Sequence, residues 1–373
     1  MQQKALYQER LKRVVESLTK TDMDALLLNA RCNIGYLTGS YSTCSWLFIT
    51  KKGELLALVL DSDVDSYQEE SFISDIRTFT EHPGFHMFKS AIGELGLSRS
   101  KIGLELGNPS LTQPTVDHLK DAVPSTVQFV NGELLVEEMR AVKTKEEIDA
   151  IEKAAEIAEL GMDTAIKTIK PGVRERDVIL EVEYAMRKAG GTIPVMNYIA
   201  SGKRSSMAHP VPSPKKIQKG DLIVLDIHGG AQGYCADLSR TIVCGKGDNE
   251  KEQAYSCLIR AEEEAIDLCR RGQKLVDIKK TFYRKLAEAK SLKFLTGPVL
   301  HGVGVIYREM PYFGFPYHEK GYPEVMEANM VVAVSQIGLY SKQGWGVRVE
   351  DTVLVTENEP TYLTHFTKEL LSI

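Results

Sequence analysis

The chain has 373 residues, 43% hydrophobic and 26% charged, enough for two domains with ordinary buried cores and unlike a disordered composition. A net charge of -5 argues against nucleic-acid binding, which needs a basic excess, and no apolar run approaches the roughly 20 residues of a membrane span. Cys32, Cys44, Cys235, Cys244, Cys257 and Cys269 form no C-x-x-C pair, and the polar stretch Met1 to Lys20 lacks a signal-peptide core. Reduced thiols in a cytoplasmic protein are therefore expected.

The first part alternates helical and strand patterns. Gln8–Leu18 has apolar residues at helical spacing, and Ala25-Leu26-Leu27-Leu28 reads as a short buried strand. Trp46–Ile49 and Leu55–Leu60 flank a Lys52-Gly53 turn and predict a hairpin. Helices are expected over Phe85–Leu97 and Leu111–Ala122, and strands over Ile102–Glu105 and Val127–Val130, which makes one α/β domain over residues 1–137.

A second domain is expected over residues 138–373. Thr144-Lys145-Glu146-Glu147 forms a capping box for a long helix with Ile148, Ile151, Ala155 and Ala158 on one face. An internal repeat follows. Lys170-Pro171-Gly172-Val173 leads into a helix over Asp177–Lys188. A helix over Lys251–Cys269 leads through Arg271-Gly272-Gln273-Lys274 into another over Asp277–Ala289. Gly172 and Gly272 are 100 residues apart, and each is expected to end a helix in the left-handed conformation.

The segment from Gly220 to Thr241 carries two carboxylates. Asp226 follows the apolar run Leu222-Ile223-Val224-Leu225, and Asp237 lies on a return strand beyond a turn placed at Gly229–Gln232. Two carboxylates facing one another in a dry interior need a cation or a shared proton, and a divalent metal is the simplest answer. The bland alternative has Asp226 capping the turn and Asp237 pairing with Arg240. Two later segments favour the metal. His301 follows Pro298-Val299-Leu300, and Glu350 interrupts the apolar run Val347 to Val355.

These residues resemble the pita-bread family of prolidase, aminopeptidase P, creatinase and methionine aminopeptidase. The resemblance spans nearly the whole chain. Its signals are Asn33-Ile34-Gly35-Tyr36-Leu37-Thr38-Gly39, the Met139–Ala155 junction, the eleven-residue spacing of Asp226 and Asp237, and the R-x-E-D at Arg348–Asp351. It implies an α/β protein with a small creatinase-type N-terminal domain ahead of a pita-bread domain with an internal pseudo-twofold repeat. It also implies a homodimer and one or two divalent ions, manganese, cobalt or zinc. Asp226 would hold the first metal, Asp237 and Glu350 would bridge both, and His301 would bind the second. His209 would face the substrate or its tetrahedral intermediate, and the metals would acidify a water and polarise the scissile carbonyl.

Two positions depart from the family. Gln336, or Ser335 if the register slips by one, stands where a metal-binding glutamate is expected, so the second metal should bind weakly or not at all. Arg308, followed by Glu309, replaces a second histidine seven residues after His301, and can clamp a carboxylate. His209, Arg308 and Glu309 are the candidate catalytic residues; Asp226, Asp237, His301, Gln336 and Glu350 are the candidate ligands. The leading expectation is an Xaa-Pro peptidase acting on a small peptide. Rivals are a creatinase-like or lyase-like enzyme on a small zwitterion, with His209 as base, and a non-catalytic binding module. His228, two residues from Asp226, shares its face if the strand persists and could support or bind the metal, but the following glycines place it in the turn. Cys235 shares a face with Asp237 and could touch the site, with packing the leading expectation. His82, His86, His118 and His365 are expected at the surface. Tyr307, Tyr312, Phe313, Phe315, Tyr317 and Tyr322 are expected in a loop over the site or in ordinary packing.

Overall fold

The computed structural model describes residues 2–41, 45–81, 84–107, 111–290, 293–294, 299–314, 317–336 and 338–373; at 2–3, 45, 293–294, 313–314 and 317–321 it describes the backbone alone. Cys44, His82, Pro298, Phe315 and Ile337 lie outside the described residues, as do the side chains of Phe313 and Tyr317. The chain divides into two compact units, Met1–Met139 and Arg140–Ile373. Among the described residues no helix is long and apolar enough to cross a membrane.

The first unit holds helices α1 (Gln2–Thr19), α2 (Arg31–Thr38), α3 (Val64–Glu70), α4 (Phe88–Glu94) and α5 (Gln113–Ala122). With them lie strands β1 (Ala25–Leu28), β2 (Ser45–Thr50), β3 (Leu55–Leu60), β4 (Ile76–Phe79), β5 (Lys101–Leu104) and β6 (Gln128–Asn131); α6 (Leu134–Ala141) follows. The sheet order is β4-β3-β2-β1-β5-β6, with β2 and β3 paired as the predicted hairpin. Leu27, Trp46, Phe48, Leu58, Phe88 and Ile102 are in its core, each contributing about 1.5–3 kcal/mol of burial. Two predicted helices are shorter than expected. The Phe85–Leu97 segment opens with a 3-10 turn at Phe85–Met87, and the next helix begins at Gln113, where Thr112 caps it.

The second unit opens with α7 (Lys145–Thr168), started by the predicted capping box, with Ile148, Ile151, Ala155 and Ala158 all buried. After α7 come α8 (Glu175–Lys188) and strands β7 (Tyr198–Ser201), β8 (Leu222–Ala231) and β9 (Tyr234–Val243). Helices α9 (Asn249–Ile266) and α10 (Leu275–Leu286) follow. The remaining strands are β10 (Lys293–Phe294), β11 (Leu300–Gly302), β12 (Glu309–Gly314), β13 (Tyr317–Tyr322), β14 (Val331–Val334), β15 (Leu339–Tyr340), β16 (Gly346–Val347), β17 (Asp351–Leu354) and β18 (Thr361–Tyr362). They form three sheets, β7-β8-β9, β10-β15-β16 and β13-β12-β11-β14-β17-β18.

The 100-residue repeat has a matching backbone pattern. The Gly172 amide donates to Ile217 and that of Gly272 to Met326, and Glu175 and Leu275 reach Lys215 and Glu324 in the same way. Both glycines are left-handed, with φ of 94° and 82°. They sit within the connecting turns, however, and do not end the helices: α7 stops at Thr168 and α9 at Ile266.

Candidate metal centre

The β8–β9 hairpin is longer than the sequence suggests. Its turn is Gln232-Gly233, both left-handed (φ 51° and 82°) as a tight two-residue hairpin requires, and Gly229 and Gly230 belong to the strand. Their lack of a side chain answers close packing: a Cβ on Gly229 would lie 2.0 Å from the Ala154 carbonyl oxygen of α7. His228 therefore sits in β8, not in the turn.

Strand alternation then divides the hairpin into two faces. Ile223, Leu225, Ile227, Leu238 and Ile242 pack with Ala158 and Met162 of α7 and Val178 and Val182 of α8. The other face carries Asp226 opposite Ser239 and His228 opposite Asp237. Glu350 joins it from the gap between β16 and β17, two strands of different sheets, through reciprocal backbone bonds of 3.1 Å with Ser239. It is thus a corner residue, not the middle of a strand as its sequence context suggests. Thr352 of β17 ties the sheets together, accepting from the Asp237 amide at 2.9 Å and donating to its carbonyl at 2.8 Å. His301 enters from β11, and its Nδ1 lies 3.0 Å from the Gly302 carbonyl, which leaves Nε2 facing the acids.

Asp226, Asp237, His301 and Glu350 meet, as expected. His301 Nε2 is 3.7 Å from both Asp237 Oδ2 and Glu350 Oε1. His228 Nε2 is 3.5 Å from Asp237 Oδ2 and 3.8 Å from Asp226 Oδ1. Asp226 also accepts from Ser239 Oγ at 2.7 Å and from Arg348 Nη1 at 2.6 Å. Yet Asp237 Oδ1, Glu350 Oε1 and His301 Nε2, all buried, have no hydrogen-bond partner. Burial, with Asp237 and Asp226 nearby, pushes the Glu350 carboxyl well above the usual range. Burial works against a charged His228, but Asp237 and Asp226 outweigh it and raise the ring to about 9. Burial likewise opposes charge on Asp237, but His228, then His301 and Arg348, holds it below the usual carboxylate range. Orphaned donors of this kind around one small space, with too little positive charge among them, fit a divalent cation.

A cavity of about 260 Å³ opens onto the cluster, lined among others by Tyr198, His209, Tyr307, Arg308 and Gln336. The His209 ring lies tilted against Tyr198 with ring centroids 5.6 Å apart; burial, then Arg348, lowers its pKa and favours the neutral ring. The segment bearing it is pinned twice. Buried Glu175 accepts from Ser201, Arg204 and Ser213, and Arg348 Nη2 donates to the Ala208 carbonyl at 2.7 Å. Gln336 lines the cavity, whereas Ser335 is buried, with an unpartnered hydroxyl.

One candidate is corrected outright. Glu309 is not in the site: its carboxylate is buried against Arg140 at 2.6 Å and Lys143 at 3.0 Å, because strand alternation turns it away from Arg308. Asp237 does not pair with Arg240, which instead binds Asp351 at 2.7 Å. Most of the aromatic segment falls in strands β12 and β13, and among its described side chains Tyr307, just ahead of β12, lines the cavity. Cys235 is buried, with its thiol pKa raised by burial, and its Sγ lies 3.9 Å from the Val305 carbonyl oxygen. His86, His118 and His365 are exposed. Tyr198 and Glu175 were missed, and His228 was weighed but set aside in favour of the turn. The two-residue spacing from Asp226 was the signal for His228, and the paired glycines after it masked that signal.

Comparison with known proteins agrees with this geometry. Residues 149–357 match the model of metallopeptidase family M24, and residues 10–142 match the creatinase/prolidase N-terminal domain. An Xaa-Pro dipeptidase of Pyrococcus horikoshii is 30% identical over 365 residues, covering 97% of this chain and 99% of its own. That of Pyrococcus furiosus is also 30% identical, over 364 residues, with 97% and 99% covered. Among solved structures, an Xaa-Pro dipeptidase from Bacillus anthracis superposes with a TM-score of 0.87 at 27% identity, covering 98% of this chain and 100% of that one. The prolidase of Pyrococcus horikoshii gives 0.84 at 29%, covering 97% and 100%.

Proposed function

The chain belongs to metallopeptidase family M24, and from that premise we propose that it is a metal-dependent Xaa-Pro peptidase whose substrates are small peptides. The observation that carries this reading is the set of unpartnered buried atoms, Asp237 Oδ1, Glu350 Oε1 and His301 Nε2, the first two belonging to residues that line a substrate-sized cavity. Leaving buried polar groups unpaired costs about 1–3 kcal/mol each, more when charged, so a donor set of this kind calls for a cation. Gln336 and Arg308, the departures that spoke for a creatinase-like or lyase-like enzyme, both line the cavity, but the resemblance to Xaa-Pro dipeptidases favours the peptidase.

Asp226, Asp237, His301 and Glu350 hold one or two divalent ions, of manganese, cobalt or zinc, and Gln336 offers only a neutral amide oxygen. A bound divalent ion supplies Lewis acidity at the scissile carbonyl and lowers the pKa of water. The rest falls to this chain's side chains. His209, neutral and at the cavity wall, donates a hydrogen bond to the oxygen that becomes negative as the carbonyl is attacked. Arg348 keeps the Asp226 carboxylate and the Ala208 carbonyl in fixed relation, so that His209 stays aligned with the ligands. Arg308 has no ion-pair partner among the described residues, and it takes the carboxylate of a dipeptide substrate. Glu309 serves β12 by anchoring it to Arg140 and Lys143, and takes no part in the chemistry. A cytoplasmic homodimer completes the reading, checked by fractionation and light scattering.

The test is hydrolysis of Xaa-Pro dipeptides, Xaa-Ala dipeptides and longer Xaa-Pro peptides by chelator-treated protein resupplied with manganese, cobalt or zinc. Turnover confined to the metal-loaded protein and to Xaa-Pro bonds is expected. Metal-loaded protein inert to every Xaa-Pro peptide would refute the reading.

A further inference from the structure

The cluster holds one more donor than the family resemblance names. Building on the reading that the centre binds divalent ions, we propose that His228 is itself a metal ligand. It closes one ion position with Asp226 and Asp237, while His301 closes the other with Asp237 and Glu350.

The distances carry the argument. The two imidazoles stand on either side of Asp237, and their Nε2 atoms make four approaches to carboxylate oxygens, at 3.5, 3.8, 3.7 and 3.7 Å. All exceed the roughly 2.7–3.2 Å of an N–H···O hydrogen bond. Ligands bound to zinc at about 2.0–2.2 Å in a tetrahedral arrangement lie roughly 3.3–3.6 Å apart, close to this spacing. His228 and His301 therefore relate to their carboxylates in the same way, and a ligand role given to His301 extends to His228 on the same geometry.

The surroundings fit a ligand held in place in advance. His228 is 4% exposed. Its ring meets Tyr198 and Tyr307 edge-on, at 5.9 and 6.0 Å between centroids. Its backbone amide donates to the buried Asn197 side chain at 2.7 Å. The two tyrosines confine the ring, while its Nδ1, unlike that of His301, is buried without a hydrogen-bond partner. The extra imidazole also bears on Gln336. Gln336 weakens the position that His301 closes, whereas His228 adds a third donor to the other position, so that two ions bind with one imidazole each. Nitrogen donors shift preference toward zinc and cobalt and away from manganese and magnesium.

The test uses the full-length chain stripped with chelator and titrated with zinc or cobalt by calorimetry, with bound metal measured after dialysis. Two ions per chain are expected in the wild type and one in His228→Ala and in His228→Asn, whose folding is checked by circular dichroism. Long-range proton–nitrogen NMR on the wild type gives a readout independent of any variant: of the eight histidines, the Nε2 signals of His228 and His301 should both move when zinc is added. Variants that still bind two ions with unchanged affinity overturn the proposal and leave the peptidase reading standing. So does a wild type that binds one ion and moves only the His301 signal. A variant that binds metal more tightly than the wild type overturns it too, because the ring then competes with the ion. A wild type that binds no metal brings down this proposal together with the metal-dependent reading beneath it.

Discussion

Two buried charge clusters lie back to back in the second unit, and adjacent residues belong to each. Glu350 faces Asp237 and His301, at distances too long for hydrogen bonds and with one oxygen unpartnered. Asp351 faces the other way, 2.7 Å from Arg240 and Thr364 and 3.1 Å from Lys368, which also holds Glu262 at 2.7 Å. The Asp351 cluster carries its own cations: two carboxylates meet one guanidinium and one ammonium. The Glu350 cluster has three carboxylates against one guanidinium, Arg348, and one imidazole raised to about 9, His228. Among the described residues Arg348 pairs with Asp226, His228 stands 3.5 and 3.8 Å from Asp237 and Asp226, and neither pairs with Glu350. Buried acid alone therefore does not mark a site. What marks it is acid that the chain leaves without enough counter-charge.

The adjacent substitutions Glu350→Gln and Asp351→Asn put this contrast to the test and should fail in opposite ways. Glu350→Gln removes a ligand and should cost roughly 10³-fold in kcat, several kcal/mol of transition-state stabilisation, while the metal-free protein melts no lower than the wild type. Asp351→Asn breaks a buried ion network and should destabilise by about 3–5 kcal/mol in denaturant titration, with metal stoichiometry intact in the folded fraction. Matching profiles for the two would erase the distinction. Next in size is His209→Ala, expected to lower kcat about 100-fold with metal content unchanged. In the wild type, NMR titration should place the His209 midpoint below the ordinary value of about 6.5, because burial, then Arg348, disfavours its charged form. Arg308→Ala should raise KM for dipeptides about tenfold and leave peptides amidated at the C-terminus nearly untouched. The smallest effect expected is that of Gln336→Glu, which adds a charged ligand and should tighten metal binding by about a few-fold in calorimetry. No gain there would mean that Gln336 does not face the ions.

Much of the open cluster was legible because its acids interrupt apolar runs, a pattern that is costly unless the groups are used. Asp226, Asp237 and Glu350 stood out for that reason, and His301 by its place after an apolar strand start. What stayed hidden depended on contacts remote in the chain. Glu309 looked catalytic beside Arg308, but its partners Arg140 and Lys143 lie 169 and 166 residues away and nothing local announces them. His228 was hidden by an ambiguity of glycine. Gly229-Gly230 reads as a turn, whereas here glycine is demanded by the approach of α7 to Gly229 and of Thr192 to Gly230. Helix ends were blurred similarly: the glycines of the 100-residue repeat serve turns some residues past the point where each helix stops.

The Gln232-Gly233 turn sets the count by which Asp226 and Asp237 arrive on one side of their hairpin. An even–odd rule governs it: lengthening either arm by a single residue would send one acid toward the α7 side and leave the other stranded. That makes this turn an unsuitable place for a grafted epitope or a circular-permutation cut. The Lys52-Gly53 turn between β2 and β3, whose strands carry none of the ligands, is the safer point of entry for an engineer.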